Sequence, residues 1–500
     1  MTEKALTPLD EHNQRLQQNV HPETWQNPTP CGRYNLVVIG AGTAGLVTAS
    51  AAAGLGAKVA LIERSLMGGD CLNVGCVPSK GLLSASKRAA ALQGMNEFGI
   101  EVPEGVHVDF SKIMTRMRKL RADISPVDSA QRYKELGVDV YFGNARFIDA
   151  SHIDVNGVTL EFSKASICTG ARAAAPDIPG LEQVSYLTNE TIFSLTERPK
   201  RLGIVGAGPI GCEMAQAFAR LGTEVTLLAS SKGILPREDP DAVAVLESSL
   251  KKDGVSISTE GKELRIEKTE QAIKLRLPSG DLEVDQLLIA VGRKANVEGL
   301  DLEKAGVIYS DKGVQVNEYL QTTHKNIYAA GDVCTDKQFT HAADFMARNV
   351  IQNALFFGRS KMSSLLIPWS TYCEPELAQV GITSQQAHIQ NIEIDTFIQE
   401  FEHVDRALLE GEGEGFVKVH VKKGSDRILG VTIVGKDAGD LISFYTLAMN
   451  NKIGLKKLAG SIYPYPSRAE IVRKTGDAYN RTRLTPKVKA MMEKFLAWRR

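Results

Sequence analysis

Asn35-Leu36-Val37-Val38-Ile39-Gly40-Ala41-Gly42-Thr43-Ala44-Gly45 is the stretch whose reading decides the fold. Five residues of buried-strand character run into a turn holding three glycines, and a helix of small residues follows. A second strand, Lys58 to Ile62, ends at Glu63, 23 residues after Gly40. In such a unit the glycines let backbone amides approach a pyrophosphate at a helix N-terminus. The acid that ends the second strand accepts hydrogen bonds from a ribose. A glycine triplet alone is weak evidence. With a strand before it, a helix after it and an acid at that distance, it reads as a dinucleotide site.

The unit recurs. Arg201-Leu202-Gly203-Ile204-Val205 leads into Gly206-Ala207-Gly208-Pro209-Ile210-Gly211, and a second strand, Glu224 to Leu228, arrives at Ala229, again 23 residues after the first glycine. Where the first copy has Glu63, the second has Ala229. A carboxylate there binds a free 2′-hydroxyl and repels a 2′-phosphate, so its loss, with Ser230, Ser231 and Lys232 following as donors, favours NADPH over NADH. No arginine sits directly beside Ala229.

Between the two copies lies Gly68-Gly69-Asp70-Cys71-Leu72-Asn73-Val74-Gly75-Cys76-Val77-Pro78-Ser79-Lys80. On a straight helix the two thiols would be separated by about 7.5 Å of rise, beyond the ~7 Å Cα limit for a disulfide, so the backbone must bend between them, as Gly75 permits. Pro78 and the residues after it predict a helix starting near Cys76. A cysteine at a helix N-terminus is more readily a thiolate, and Lys80, four residues on, adds its charge on the same face. A redox dithiol is the expectation, against a bland pair of unlinked cytosolic cysteines.

This run resembles the active-site signature of the flavoprotein disulfide reductases, which include dihydrolipoamide dehydrogenase, glutathione reductase and mercuric reductase. The likeness covers Arg33 to about Asp477 and is strongest to the mercuric reductase branch. It implies an α/β fold with two Rossmann-like nucleotide-binding domains, for FAD and NAD(P), and a C-terminal α+β dimerisation domain. The expected divisions are a polar extension over 1–32, an FAD domain over 33–176 and 296–366, an NAD(P) domain over 177–295, a dimerisation domain over 367–480 and a basic tail over 481–500. By the same resemblance, Gly40, Gly42, Gly45, Glu63, Ala145, Thr169, Gly170 and Asp332 serve FAD. Asp332, in Ala330-Gly331-Asp332-Val333, would accept from the ribityl chain. Gly206, Gly208, Gly211, Ala229, Ser230, Lys232 and Gly292 would serve NADPH. Ile167-Cys168-Thr169-Gly170 and Ile289-Ala290-Val291-Gly292 look like the chain crossings between the two nucleotide domains. Cys71 would be the outer, substrate-facing thiol and Cys76 the one against the flavin, with Glu213 pairing with Lys80. A homodimer is implied, each active site borrowing Tyr465 and Glu470 from its partner.

Tyr465 is a departure. The family typically carries a His-Pro there with a Glu five residues later; here the run is Tyr465-Pro466-Ser467-Arg468-Ala469-Glu470. Histidine titrates near about 6.5 and tyrosine near about 10, so Tyr465 serves poorly as the base that disulfide exchange and dithiol oxidation require. A soft metal ion such as Hg(II) binds the thiolates directly and needs no such base. Mercuric reductases likewise have tyrosine here, yet they end in a cysteine pair, whereas the last cysteine of this chain is Cys373. Cys71 and Cys76 are therefore the candidate ligands of a metal substrate, with no structural metal expected. The rivals are a disulfide or dihydrolipoamide-type dehydrogenase working without histidine, and a flavin-containing sensor docked to a membrane or partner.

The remaining signals narrow the setting. Lys plus Arg and Asp plus Glu are equal at 59 each, so nothing points to nucleic acid. No apolar run reaches the ~18 residues of a membrane span, the N-terminus lacks a signal core, and seven cysteines in 500 residues make no secreted framework. A cytoplasmic location is expected. From Arg473 to Arg500 there are nine Lys or Arg against two acids. Thr485 and Pro486 mark a helix start, with Val488, Met491, Met492, Phe495 and Leu496 on one stripe. That stripe is expected to pack on the partner subunit; the alternative is peripheral contact of 485–500 with an anionic membrane surface.

Overall fold

A computed structural model describes residues 6–500. The chain forms two compact units. One comprises the residues up to Ala207, Ala217–Ser231 and Ile257–Leu365; the other comprises Gly208–Gln216, Lys232–Ser256 and Leu366–Arg500.

The first unit opens with α1 (Glu11–Val20). It continues through β1 (Tyr34–Ile39), α2 (Thr43–Gly54), β2 (Val59–Glu63), the short α3 (Gly69–Asn73), α4 (Cys76–Ala91), α5 (Phe110–Ile124) and β3 (Val138–Phe142). Strands β4 (Ala145–Phe147), β5 (His152–Val155) and β6 (Val158–Ile167) complete the sheet, ordered β3-β2-β1-β6-β5-β4. β1 runs parallel to both β2 and β6, with Ile39 opposite Ile62 and Ile167. Leu36, Val37 and Val38 are wholly buried, because a parallel strand is covered on both faces.

After β6 the chain leaves through β7 (Ala171–Ala173) to a second parallel sheet: β8 (Arg201–Val205), α6 (Pro209–Arg220), β9 (Glu224–Leu228), then α7 (Pro240–Lys252) and β10 (Val255–Ser258). With β11 (Gln286–Ile289) the order is β10-β9-β8-β11. It returns through β12 (Arg293–Ala295), which pairs antiparallel with β7, Ala171 opposite Ala295. β13 (Ile327–Ala329) then joins the first sheet beside β6, and α8 (Thr340–Leu355) packs on α2.

In the second unit, β14 (Trp369–Thr371), β15 (Glu376–Gly381), β16 (Ile394–Glu400), β17 (Phe416–Lys422) and β18 (Ile428–Gly435) form an antiparallel sheet ordered β14-β15-β18-β17-β16. α7 and α9 (Ala438–Asn450) lie on it, and α10 (Glu470–Thr482) packs beside β16. Valines at 417, 419 and 421 fill its core, and Lys418 and His420 between them are buried on the opposite face of the strand.

Of the polar extension expected over 1–32, the first five residues lie outside the described residues and the rest packs on the first sheet. Asp10 caps α1 by accepting the Asn13 amide at 2.9 Å, and Leu16 and Val20, one turn apart, are wholly buried among the residues that cover the first sheet. Farther on, the Asn27 side chain exchanges two hydrogen bonds with the Phe142 backbone, 2.9 and 2.8 Å, and so closes the free edge of β3. At the other end, Thr485 accepts the Val488 amide at 3.3 Å and α11 (Pro486–Trp498) forms as its cap signals predict; none of its residues is buried. No described helix is long and apolar enough to cross a membrane.

Candidate active site

The two cysteines flank the bend that their spacing demands. α3 carries Cys71 and stops at Asn73; α4 begins at Cys76 itself. Gly75, between them, has φ −133° and ψ −113°. The glycine is needed for closeness, because a Cβ there would stand 2.8 Å from the Asp70 carbonyl oxygen. The two thiols are hydrogen-bonded, and that bond, followed by burial, pushes the Cys71 thiol well above its ordinary range. Thr340, at the start of α8, places its Oγ1 3.4 Å from Cys76 Sγ. Sequence reading missed Thr340, since no local spacing connects residues 264 apart.

Both glycine turns have one geometry. Gly40 and Gly206 sit at φ +99° and +105°, and a Cβ on them would lie 2.5 Å from the Cys168 oxygen and 2.4 Å from the Ala290 oxygen. Each turn is thus pressed onto one of the two crossing segments, and only glycine fits. A Cβ on Gly45 would meet the Gly40 oxygen at 1.8 Å. The first turn also touches the redox segment: a Cβ on Gly69 would stand 2.7 Å from the Gly42 Cα. The first glycine turn and the segment carrying Cys71 therefore meet backbone on backbone.

Around that junction other expected residues gather, whereas Ala145 opens β4 at the edge of the first sheet. Glu63 accepts the Ala41 and Ser65 amides at 2.7 and 2.8 Å; its burial pushes the carboxyl up while these bonds oppose it. Thr169 Oγ1 donates to the Asn296 carbonyl at 2.7 Å and the Asn296 amide group donates back at 2.9 Å, fixing Gly170 in its left-handed turn at φ +65°. Asp332 follows β13, and its neighbour Gly331 lies against Ala44 of α2. Burial raises the Asp332 carboxyl, opposed by Arg293, whose Nε is 3.4 Å from Oδ2. Arg293 also donates to Asp70, the residue before Cys71, and to the Ala171 carbonyl at 2.6 Å. Arg293 and Asp70 were not among the expected site residues. Glycine backbone with no room for side chains, a ribose-directed acid and a part-buried carboxylate suit an FAD.

In the second copy Ala229 is buried where Glu63 stands in the first. Its amide donates to Ser258 at 2.7 Å and its carbonyl accepts from Gly261 at 2.9 Å. Gly292 ends its crossing at φ +137°. Within the second unit, buried Glu213 accepts the Tyr372 amide at 3.0 Å. Glu470 opens α10 and accepts from Arg473 at 2.9 Å. Tyr465 is 70% exposed; its hydroxyl donates to Asp405 at 2.7 Å, and that carboxylate pushes the phenol above its ordinary value.

Known proteins match this arrangement. Residues 34–354 match the pyridine nucleotide-disulphide oxidoreductase family model, and residues 367–475 match its dimerisation domain. The chain is 36% identical to a mercuric reductase of Staphylococcus aureus, over 88% of this chain and 81% of that one. It is 33% identical to a dihydrolipoyl dehydrogenase of Bacillus subtilis (strain 168), over 87% and 96%. Among solved structures, the Cu(II) complex of the HOCl-induced flavoprotein disulfide reductase RclA from Escherichia coli matches with a TM-score of 0.78 at 29% identity, covering 88% of this chain and 98% of that one. The chain belongs to the pyridine nucleotide-disulphide oxidoreductases, FAD-dependent enzymes that use a pyridine nucleotide, and it carries their dimerisation domain.

Proposed function

We propose that this chain is an NADPH-dependent reductase of a soft metal ion such as Hg(II), working through Cys71 and Cys76. The supporting observation is the contact of the first glycine turn with Gly69, which brings the dithiol segment against the turn we assign to FAD. FAD, when bound there, supplies the relay of two electrons from the reduced nicotinamide. The protein residues hold it, aim it and manage the protons.

Gly40, Gly42 and Gly45 would admit the FAD pyrophosphate, Glu63 its ribose, and Thr169, Gly170, Ala145 and Asp332 the rest of that cofactor. Gly206, Gly208, Gly211 and Gly292 would admit the NADPH pyrophosphate. Ala229 spares the 2′-phosphate the repulsion a carboxylate would impose, with Ser230 and Lys232 as donors. Divisions at 176/177 and 295/296 suit these two roles, since β7 and β12 pair beside them. Opening a Cys71–Cys76 bridge to a thiol and a thiolate takes up two electrons and one proton. Cys71, held protonated by its bond to Cys76, keeps one proton, while the helix N-terminus and Lys80 favour Cys76 as thiolate. The metal reaction balances as NADPH plus Hg(II) giving NADP⁺, H⁺ and Hg(0).

Tyr465 supports the choice of acceptor. Held protonated by Asp405, it is unsuited to accept a proton from a thiol at neutral pH. The likeness to mercuric reductases and to a reductase that forms a Cu(II) complex points the same way. We place the enzyme in a homodimer, Tyr465 and Glu470 lining the partner's acceptor side, and in the cytoplasm. The deciding experiment is NADPH oxidation with Hg(II), glutathione disulfide or lipoamide, using Cys71→Ser and Cys76→Ser as controls. Fast Hg(II) turnover lost in both variants is expected. Faster lipoamide turnover by the unaltered enzyme would overturn the metal assignment in favour of the dehydrogenase reading.

A further inference from the structure

The segment that carries Cys71 is held from behind by the N-terminal extension. Asn73, the last residue of α3, donates from Nδ2 to the Met67 and Gly69 carbonyls at 3.0 and 2.9 Å, folding the loop on itself. The Asn73 carbonyl accepts from Arg121 Nη1 of α5 at 2.6 Å, and Arg121 Nη2 donates to the Asn13 side-chain oxygen of α1 at 2.5 Å. The circuit closes where the Met67 amide donates to the Val20 carbonyl at the end of α1, 3.1 Å.

This circuit is buried and charged. Asn13 is wholly buried and Arg121 nearly so; burial, then the neighbouring Arg118, lowers Arg121 to about 10, which leaves it charged at neutral pH. Arg118 has a carboxylate, Asp10 Oδ2 at 2.5 Å from its Nε. Arg121 donates to two neutral oxygens, those of Asn73 and Asn13, and its Nε is buried without a hydrogen-bond partner. A cation solvated mainly by amide oxygens retains much of its field, and here one of those oxygens belongs to the backbone two residues from Cys71. Asp128, whose charge raises the Cys71 thiol, opposes that field.

We propose that α1 is a positioning element of the redox centre: through Asn13 and Arg121 it fixes the 67–73 segment and lends it positive charge, shifting the Cys71–Cys76 pair toward its reduced form. The inference rests on the reading of these cysteines as a redox pair. The residues act through Asn73, so none of them is catalytic.

The test is an equilibrium measurement rather than an activity. The purified holoprotein is equilibrated with ratios of reduced to oxidised dithiothreitol, quenched by alkylation, and scored for free Cys71 and Cys76 by mass. In this exchange the reagent gives up two electrons and two protons and forms its own S–S bond as the protein's breaks. Asn13→Ala removes the acceptor that aims Arg121; a shift toward disulfide of about tenfold is expected, equivalent to ~30 mV for a two-electron couple. Asn13→Asp keeps the acceptor but neutralises the guanidinium, so it should shift the equilibrium in the same direction while melting no lower than the unaltered protein. A purely structural role predicts that Asn13→Asp behaves like the unaltered protein. Folded variants with constants within twofold of the unaltered protein would overturn the inference, and Asn13→Asp alone decides it should Asn13→Ala not fold. Failure of the unaltered protein to form the bridge at any ratio would instead defeat the reading of the cysteines, and the inference with it.

Discussion

Adding a single methyl group separates the two glycine turns by function. Gly40→Ala and Gly206→Ala introduce the same atom at φ +99° and +105°, facing carbonyl oxygens at 2.5 and 2.4 Å. To restore 3.0 Å, near the floor for such contacts, each turn must retreat by about half an ångström. Because the obstacle is backbone, no side-chain rotation relieves it. An alanine at such a φ costs on the order of 1–3 kcal/mol. The retreat also spoils amide bonds to an anion, worth about 1.5–3 kcal/mol each. About 3 kcal/mol of lost affinity is a reasonable sum, more than 100-fold in dissociation constant. Gly206→Ala should therefore purify with normal flavin absorbance and bind NADPH at least about 100-fold more weakly. Gly40→Ala should purify depleted of flavin. Thermal melting with and without added FAD checks that each variant folds. If Gly206→Ala loses flavin while Gly40→Ala keeps it, the assignment of the two copies is reversed; if both bind both ligands normally, the turns are not cradles.

Three further outcomes follow from single side chains. Ala229→Glu recreates the carboxylate of the first copy, where Glu63 accepts the Ala41 and Ser65 amides. The ratio of kcat/KM for NADPH over NADH should fall at least about tenfold, and an unchanged ratio would remove Ala229 from the specificity argument. Thr340→Val deletes the contact to Cys76 and a hydroxyl that lowers the Cys71 thiol, so the Cys71 value rises further. Alkylation of the reduced pair by iodoacetamide at pH 7 should slow by about 3–10-fold, the worth of one hydrogen bond. Asp405 raises the Tyr465 phenol, so it stays protonated throughout the neutral range. Rate–pH profiles of Tyr465→Phe and the unaltered enzyme should therefore superimpose below about pH 9. Tyr465→His should add lipoamide turnover with a new ionisation above about 6.5, since Asp405 favours the imidazolium. A Tyr465→Phe profile that loses a neutral-range limb would show the phenol to be the working base.

What the sequence disclosed and what it concealed divides along a physical line. Strand, glycine turn, helix and acid are contiguous, and the demand for glycine is visible in the letter itself; so is the break between Cys71 and Cys76. The Thr340–Cys76 and Arg293–Asp70 contacts join residues 264 and 223 positions apart, and nothing local announces them. The contacts of the N-terminal extension were hidden for a different reason. Its signals are present, with Asp10 as cap and Leu16 and Val20 a turn apart, but Glu, Asn and Gln dominate its composition. Within α1 two buried apolar residues suffice, because Asn13 is buried against Arg121 instead of against apolar side chains. A polar contact of this kind is worth little on either partner's sequence alone: Asn13 reads as solvated helix surface, and Arg121 as one of several cations on α5. Only the carbonyl of Asn73 between Arg121 and Cys71 gives the pair a meaning, and that carbonyl is backbone. The glycine turns, built from backbone that excludes side chains, are therefore legible from composition at fixed spacing. The tuning of the dithiol uses backbone that side chains reach from elsewhere, and it becomes legible only in the fold.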